Sequence, residues 1–158
     1  MYAESGLSAP FSAVARKAGV GQGSLYRHFP DRTTLAAAVF DENLADVEAV
    51  MRAPERTLDD FFELIVEQAL VSAALIELLT QDTHDSRVQH LGVRLRRVVS
   101  DVVGRERAAG HLDEDVDIDD VLLATEMLAA AIARSDADAR AAVAHRARAI
   151  FRSAFSAR

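Results

Sequence analysis

The sequence predicts an all-α protein, with an N-terminal helix-turn-helix head joined to a helical body. Three observations carry this prediction. Alanine and charged residues are abundant, whereas glycine and proline number only 7 and 3 among 158 residues. Apolar residues recur at the three- and four-residue spacing of a helix face along most of the chain. The alternation of apolar and polar residues that marks a half-buried strand is rare.

The composition narrows the class of protein. Half of the residues are apolar, which is enough to form a core. The chain has no cysteine, which excludes disulfides, a thiol nucleophile and a thiolate metal site. No apolar run is long enough to span a membrane and no signal segment is visible, so we expect a cytoplasmic protein without membrane contact. No paired histidines, phosphate loop or serine elbow favours an enzyme, and no cofactor or metal is expected.

The first two predicted helices flank a tight turn. Gly19 is suited to the positive φ of a helix C-cap, and a short second helix follows the turn. Pro30 ends that helix, and Asp31 can cap the next one. This layout is that of a helix-turn-helix, in which Leu25 and Phe29 form the inner face of the second helix. Its other side chains are rich in hydrogen-bond donors and acceptors. The segment therefore predicts either a helix that enters the major groove of DNA or a plain surface hairpin.

The segment SAVARKAGVGQGSLYRHFPDRTTLAAAV resembles the signature of TetR-type transcriptional regulators. The resemblance runs from about Gly6 to Val39 and covers the turn glycine, the Leu-Tyr pair, the Phe-Pro stop and the following leucine. It implies double-stranded DNA as a partner and makes the second helix the recognition helix. The expected DNA contacts, of which the first two follow from their helix faces alone, are Ser12, Arg16, Gln22, Gly23, Ser24, Tyr26, Arg27, His28 and Arg32.

The charge distribution agrees with DNA contact at one end of the molecule. The whole chain carries a net charge of −7, which argues against a general nucleic-acid coat protein. Residues 1–34 nevertheless hold four basic and two acidic side chains, whereas the remainder holds 14 basic and 23 acidic ones. A mildly basic head on an acidic body is therefore predicted.

The beginning of the chain departs from the TetR-type pattern. Residues 2–6 resemble the last turn and C-cap of a helix, whereas the family pattern places most of a first helix before this point. We therefore expect an N-terminally truncated head. This departure motivates an alternative function, a helical ligand-binding and dimerisation module with impaired DNA binding.

A long helix is predicted from Asp31 to about Met51, with an apolar stripe on one side and acidic residues on the other. In TetR-like proteins this helix joins the DNA-binding head to the body. The break after it contains Pro54. We therefore assign residues 1–52 to the helix-turn-helix DNA-binding domain and residues 53–158 to a helical regulatory and dimerisation domain.

The next helix opens at a predicted capping box, Thr57 to Asp60, and runs to about Thr80. It is apolar nearly all round, which predicts a central, buried helix. Its few polar residues lie either at an exposed edge or in a cavity for a small, mostly apolar effector. The residues expected to line that cavity are Phe61, Ile65, Gln68, Ser72 and Met127.

Two charged segments follow. Arg94, Arg96, Arg97, Arg105 and Arg107 surround an apolar stripe on a helix that Gly110 ends, and they form either a second nucleic-acid patch or a solvated face. The acid-dense segment 113–120 starts like a calcium loop but lacks the required glycine and bidentate glutamate. It therefore predicts a helix N-terminus whose acids complement the helix dipole.

The last two helices, residues 121–134 and about 139–155, are rich in alanine and apolar on more than one side. A capping-box-like restart is predicted at Ser135 to Asp138. The pattern suits either a four-helix interface between two copies or a hairpin buried within one protomer, and the resemblance favours the homodimer. The expected interface residues are Leu128, Ile132, Val143, Ala147, Ile150, Phe151 and Phe155.

Together these features predict a one-component transcriptional regulator that represses by binding a palindromic operator as a homodimer. An effector bound in the body would favour a spacing of the two heads that does not fit DNA.

Overall fold

The structure, a computed structural model, describes residues 11–81 and 84–157, with the side chains of residues 12–71 and 84–157. This part of the chain forms seven α-helices and contains no β-strand, which confirms the predicted fold class. The residues around Tyr2, where a helix end was expected, lie outside the described part, as does the side chain of Ser72. The helices are α1 (Phe11–Ala18), α2 (Gln22–His28), α3 (Arg32–Met51), α4 (Leu58–Gln81), α5 (Ser86–Ala108), α6 (Ile118–Arg134) and α7 (Arg140–Phe155).

The head has its own small core. Ala15 of α1 and Leu25 of α2 are buried against each other, and Val14, Phe29 and Leu35 pack partly buried around them. Since Leu35 belongs to α3, this cluster fastens the two short helices to the start of the linking helix. The prediction that Leu25 and Phe29 face inward is confirmed.

The linking helix α3 begins and ends where the sequence predicts. Asp31 is its N-cap, and its carboxylate accepts a 2.6 Å hydrogen bond from the Thr34 backbone N–H. The helix ends at Met51, and α4 begins at Leu58 after a short connection. Helix α3 packs against α4 and α5.

Helix α4 lies at the centre of the body and packs against α3, α5, α6 and α7. Phe61 on α4 and Leu128 and Ile132 on α6 are wholly buried, together with valines of α5. Burial of this apolar surface is the main favourable term in the stability of the body. Among the described residues, no helix combines the length and apolar character needed to cross a membrane.

One of the two predicted capping boxes is present, and the predicted helix N-terminus in the acid-dense segment proves to have a capping box as well. At the start of α4, the Thr57 backbone N–H donates to Asp60 and the Asp60 backbone N–H donates to the Thr57 hydroxyl. Asp117 and Asp120 make the same reciprocal pair at the start of α6, so the acid-dense segment is a helix N-terminus. The predicted restart at Ser135 is wrong, because its hydroxyl donates back to the Ala131 carbonyl and α7 begins without a side-chain cap.

Candidate nucleic-acid interface

A glycine-containing turn sets the geometry of the head. Gly19 has a φ of +69°, a conformation that side chains with a Cβ rarely adopt, and it ends α1 as predicted. The Val20 backbone N–H donates to the Ala15 carbonyl at 3.0 Å and closes the turn. Phe29 then leaves the helical conformation before Pro30. Helix α2 is therefore held between two defined stops and spans only seven residues.

The outer face of α2 is polar and open to solvent. Leu25 points inward, whereas the remaining side chains of the helix are exposed. Arg16 on α1 is also exposed, and Ser12 and Arg32 are partly buried on either side of the helix pair. Seven of the nine predicted DNA-contacting residues on the first helices are therefore exposed. The exposed predicted contacts are Arg16, Gln22, Gly23, Ser24, Tyr26, Arg27 and His28.

Gly23 has no internal packing reason to be glycine. A Cβ built at this position would meet no atom within 4 Å in the described part of the protein. The φ of Gly23 is not positive either, so the backbone does not demand glycine. A methyl group added at Gly23 would therefore be accommodated within the protomer, and its effect would fall on a partner that approaches this face.

A hydrogen-bonded chain joins the head to the body at the N-terminus of α3. The Thr34 hydroxyl donates to Asp31 at 2.7 Å and accepts a hydrogen bond from the guanidinium of Arg87. Arg87 also binds Asp85, the N-cap of α5. The hydrogen bond from the Thr34 backbone holds the pKa of the Asp31 carboxyl below its usual value, with smaller contributions that include the nearby Arg87 charge. Asp31, which follows the proline that ends α2, is thus linked through Thr34 and Arg87 to the start of α5.

The arginines of α5 are mostly structural. Arg94 donates to both carboxylate oxygens of Glu48 on α3, at 2.8 and 2.9 Å. Arg96 pairs with Asp119, whereas the guanidiniums of Arg105 and Arg107 donate to backbone carbonyls. Four of the five arginines therefore tie helices and connections together. These contacts do not favour the interpretation of the set as a second nucleic-acid patch.

Among the described residues that were predicted to line a ligand cavity, none borders the cavity of about 240 Å³ that the structure contains. Phe61 is wholly buried in the core and does not line this cavity. Ile65 and Gln68 are partly buried on α4, whereas Met127 is 54% exposed on the outside of α6. The cavity lies instead at the end of the body, between the start of α4, the 111–112 connection and the end of α7.

Several residues predicted at a dimer interface belong to the interior of the protomer. Leu128 and Ile132 have no exposed surface, so their side chains cannot contact a second copy, and we reassign them to the core. Phe151 and Phe155 are partly buried and pack their rings against Phe62. Leu128 and Ile132 are thus core residues, whereas Phe151 and Phe155 keep part of their surface exposed.

The exposed apolar residues of α6 and α7 lie on another face. Leu123 and Met127, one helical turn apart on α6, are 56% and 54% exposed, and Ile150 on α7 is 58% exposed. Val143 and Ala147 are partly buried. The i, i+4 spacing of Leu123 and Met127 was a visible signal for a second apolar face that the sequence interpretation missed.

The geometry defines a class of protein. A short polar helix stands exposed behind a glycine turn, on a basic head that is joined by one long helix to an all-α body. These are the features of a helix-turn-helix DNA-binding protein. Residues 1–39 match the family model described as bacterial regulatory proteins, tetR family.

Solved structures share this fold over almost the whole chain. The TetR transcriptional regulator SCO0520 from Streptomyces coelicolor is 22% identical with a TM-score of 0.69, and the alignment covers 99% of this chain and 92% of that one. The TetR transcription regulatory protein from Mycobacterium vanbaalenii is 20% identical with a TM-score of 0.66, covering 98% and 87% of the two chains. The ketosteroid transcriptional regulator KstR2 of Mycobacterium tuberculosis is 17% identical with a TM-score of 0.56, covering 100% and 90%. No curated protein sequence gives a significant match.

Residues 1–39 thus match the helix-turn-helix head of the tetR family, and the described chain has the all-α fold of these solved TetR-type regulators.

Proposed function

We propose that this protein is a TetR-type transcriptional repressor that binds a palindromic operator as a homodimer in the cytoplasm, and that a small, mostly apolar effector releases it. The observation that carries the DNA-binding part is the exposed polar face of α2 around Gly23, where an added Cβ would touch nothing within the described part of the protein. Gln22 and Arg27 are the side chains on this face best suited to reading base edges. Arg16 and Arg32 are suited to phosphate contacts that set the register.

The homodimer part of the proposal rests on α6 and α7. Leu123, Met127 and Ile150 are each more than half exposed, and pairing with a second copy would remove this apolar surface from water. A two-fold axis would then place two α2 helices in successive major grooves. The effector part rests on the helical body and on the printed name of the KstR2 neighbour, which is that of a ketosteroid transcriptional regulator.

A glycine substitution tests the DNA-binding surface. First, selection from randomised duplexes identifies the operator, and fluorescence anisotropy over a salt series measures its affinity. We expect Gly23→Ala to keep or slightly raise the stability of the protein, because alanine favours a helix over glycine by about 0.5–1 kcal/mol. We expect the same substitution to weaken operator binding about tenfold or more, since the new methyl group prevents close approach to the groove.

Gly92→Ala is the matched control. Gly92 is also an exposed helical glycine at which an added Cβ meets nothing within 4 Å, but it lies on α5 rather than on α2. It should raise stability similarly and leave operator affinity unchanged. Equal operator affinity for the Gly23→Ala and Gly92→Ala variants would contradict the proposed interface. Failure of the selection to yield any preferred sequence would contradict the regulator proposal and favour the DNA-silent helical module.

A further inference from the structure

The cavity at the end of the body has an aromatic wall. Phe62 of α4 packs against Phe151 and Phe155 of α7, with ring centroids 5.5 and 6.2 Å apart, and the two α7 rings lie 6.1 Å from each other. Leu58 and Leu112 add buried apolar surface to the lining. An apolar cavity of about 150 Å³ suffices for benzene. The 240 Å³ present here therefore accommodates one substituted aromatic ring.

Backbone pairing builds the mouth of this cavity. Leu112 and Ser156 form an isolated antiparallel bridge. The Asp113 N–H donates to the Phe155 carbonyl and the Ala157 N–H donates to the His111 carbonyl, both at 2.9 Å. The end of α7 is therefore fixed against the connection between α5 and α6. These bonds fix one side of the rim of the cavity.

The charged groups around the cavity are matched with one another. The Asp59 carboxylate accepts hydrogen bonds from Arg148 and Arg152 at 2.7–3.0 Å. A Glu106 carboxylate oxygen lies 3.7 Å from Nδ1 of His111. A guest with a full charge would have to compete with these pairs, because each charge already faces an opposite or titratable partner. Nη1 of Arg152 donates no hydrogen bond within the part of the chain that the structure describes, and it remains as a donor for a neutral acceptor.

We propose that this cavity is a binding site for a small, neutral aromatic compound that carries a hydrogen-bond acceptor. The ring would lie on the phenylalanine wall, where aromatic contacts add to the burial of apolar surface. A carbonyl or hydroxyl oxygen would accept from Arg152 or from the exposed imidazole of His111. This inference rests on the proposed function, because it assigns the location and the chemistry of the effector site.

The position of the cavity connects it to the linking helix. Thr57 and Leu58 line it, and they directly follow the connection that begins where α3 ends. Arg105 donates from Nη2 to the carbonyls of Met51 and Arg56, at 3.1 and 3.3 Å, and so fixes both sides of this connection. A guest that displaces Thr57 would therefore act on the end of the linking helix opposite the head.

Three probes of one shape test the chemistry of the site. Benzamide, benzoate and benzylamine have similar size but are neutral, anionic and cationic at neutral pH. Saturation-transfer NMR with the full chain in the absence of DNA measures their binding. We expect benzamide to bind with a dissociation constant in the millimolar range, as befits so small a ligand, and to bind several-fold more tightly than either charged probe. Absence of benzamide binding, or tighter binding of a charged probe, overturns the proposal.

Two tryptophan variants locate the binding. Ser156 is exposed and borders the cavity, so Ser156→Trp places a large ring at the mouth. Ser153 is exposed on the same helix but lies outside the lining, so Ser153→Trp is the control. We expect the first variant to weaken benzamide binding about tenfold and the second to leave it unchanged. His111→Ala, at an exposed side chain, provides a second site variant in which a several-fold loss is expected.

Equal benzamide binding by the two tryptophan variants overturns the location. Because no DNA is present in these measurements, a failure of the operator experiment leaves their result intact. A chain that binds operator but not benzamide refutes the site and leaves the regulator proposal standing.

Discussion

Arg94 of α5 donates two hydrogen bonds to the carboxylate of Glu48 on the linking helix and so connects this helix to the body. We expect that removing the Glu48 charge lowers the free energy of unfolding by a measurable amount. The two hydrogen bonds are 2.8 and 2.9 Å long, and the side chains of Arg94 and Glu48 are only 15% and 25% exposed. Arg94 also pairs with Asp41, which is mostly exposed. The hydrogen bond with Arg94 lowers the pKa of the Glu48 carboxyl below its ordinary value.

Glu48→Gln keeps the shape of the side chain and removes the charge. A charge-assisted hydrogen bond contributes about 1.5–3 kcal/mol, and partial exposure together with the retained Asp41 places the expected loss near the lower limit, about 1.5 kcal/mol. For a chain of this length, that loss corresponds to a fall in Tm of about 3–6 °C. Urea unfolding at a fixed protomer concentration measures it, because association would otherwise contribute to stability.

Glu42→Gln is the matched control on the same helix. Glu42 is exposed and makes no ion pair within the described part of the chain, so its substitution should change stability by less than about 0.5 kcal/mol. The difference in unfolding free energy between wild type and Glu48→Gln should also depend on pH. A carboxyl whose pKa is lowered in the folded state stabilises it above the unfolded-state pKa, and this contribution is lost as the pH falls through the folded-state value. The gap between wild type and Glu48→Gln should therefore shrink below about pH 4. Equal losses for Glu48→Gln and Glu42→Gln, or a gap that does not narrow as the pH falls, would refute the role assigned to the Arg94–Glu48 pair.

Other substitutions test the two faces of α6 and the helix caps. Leu128→Ala should lower the unfolding free energy by about 2–5 kcal/mol in urea, because Leu128 is wholly buried. Leu123→Asp should convert a dimer to a monomer in analytical ultracentrifugation, and an unchanged sedimenting mass would exclude this face. Asp117→Ala should cost about 1 kcal/mol through loss of the α6 cap, and undiminished stability would show that the capping box contributes nothing. Hydrogen bonds from Arg87 lower the pKa of Asp85 to about 2, so its contribution should be lost as the pH falls from about 4 to 2. Asp85→Asn should remove this loss of unfolding free energy between about pH 4 and pH 2. Superimposable plots of unfolding free energy against pH for the variant and wild type would contradict the prediction.

The sequence was most informative where the signal is local. Gly19, Pro30 and Asp31 specify a turn, a stop and a cap through their own backbone chemistry, and the structure places all three as predicted. The sequence likewise predicted the capping box at Thr57, in which two residues three positions apart exchange side-chain and backbone hydrogen bonds. Such features depend on neighbours within one turn of chain.

Features that depend on distant partners were not predictable in this way. The partner of Arg94 lies 46 residues earlier, and nothing in the pattern of α5 distinguishes that arginine from its neighbours. Helix α6 is apolar on several sides, so periodicity alone could not decide that Leu128 faces inward and Leu123 outward. The cavity is formed by the start of one helix, a connection and the end of another, which are joined only in the folded chain.

Four of the five long helices, α3 to α6, start with an aspartate that accepts backbone hydrogen bonds. Asp31, Asp85 and Asp117 occupy the N-cap itself, whereas Asp60 reaches back to Thr57. The pKa of each of these carboxyls is lowered by the bonds it accepts. These helices therefore share a cap whose contribution to stability is lost when its carboxyl is protonated in acid. Asparagine caps a helix about as well as aspartate but does not titrate. Replacing the three N-cap aspartates by asparagine is therefore a direct way to engineer an acid-tolerant form with its architecture unchanged.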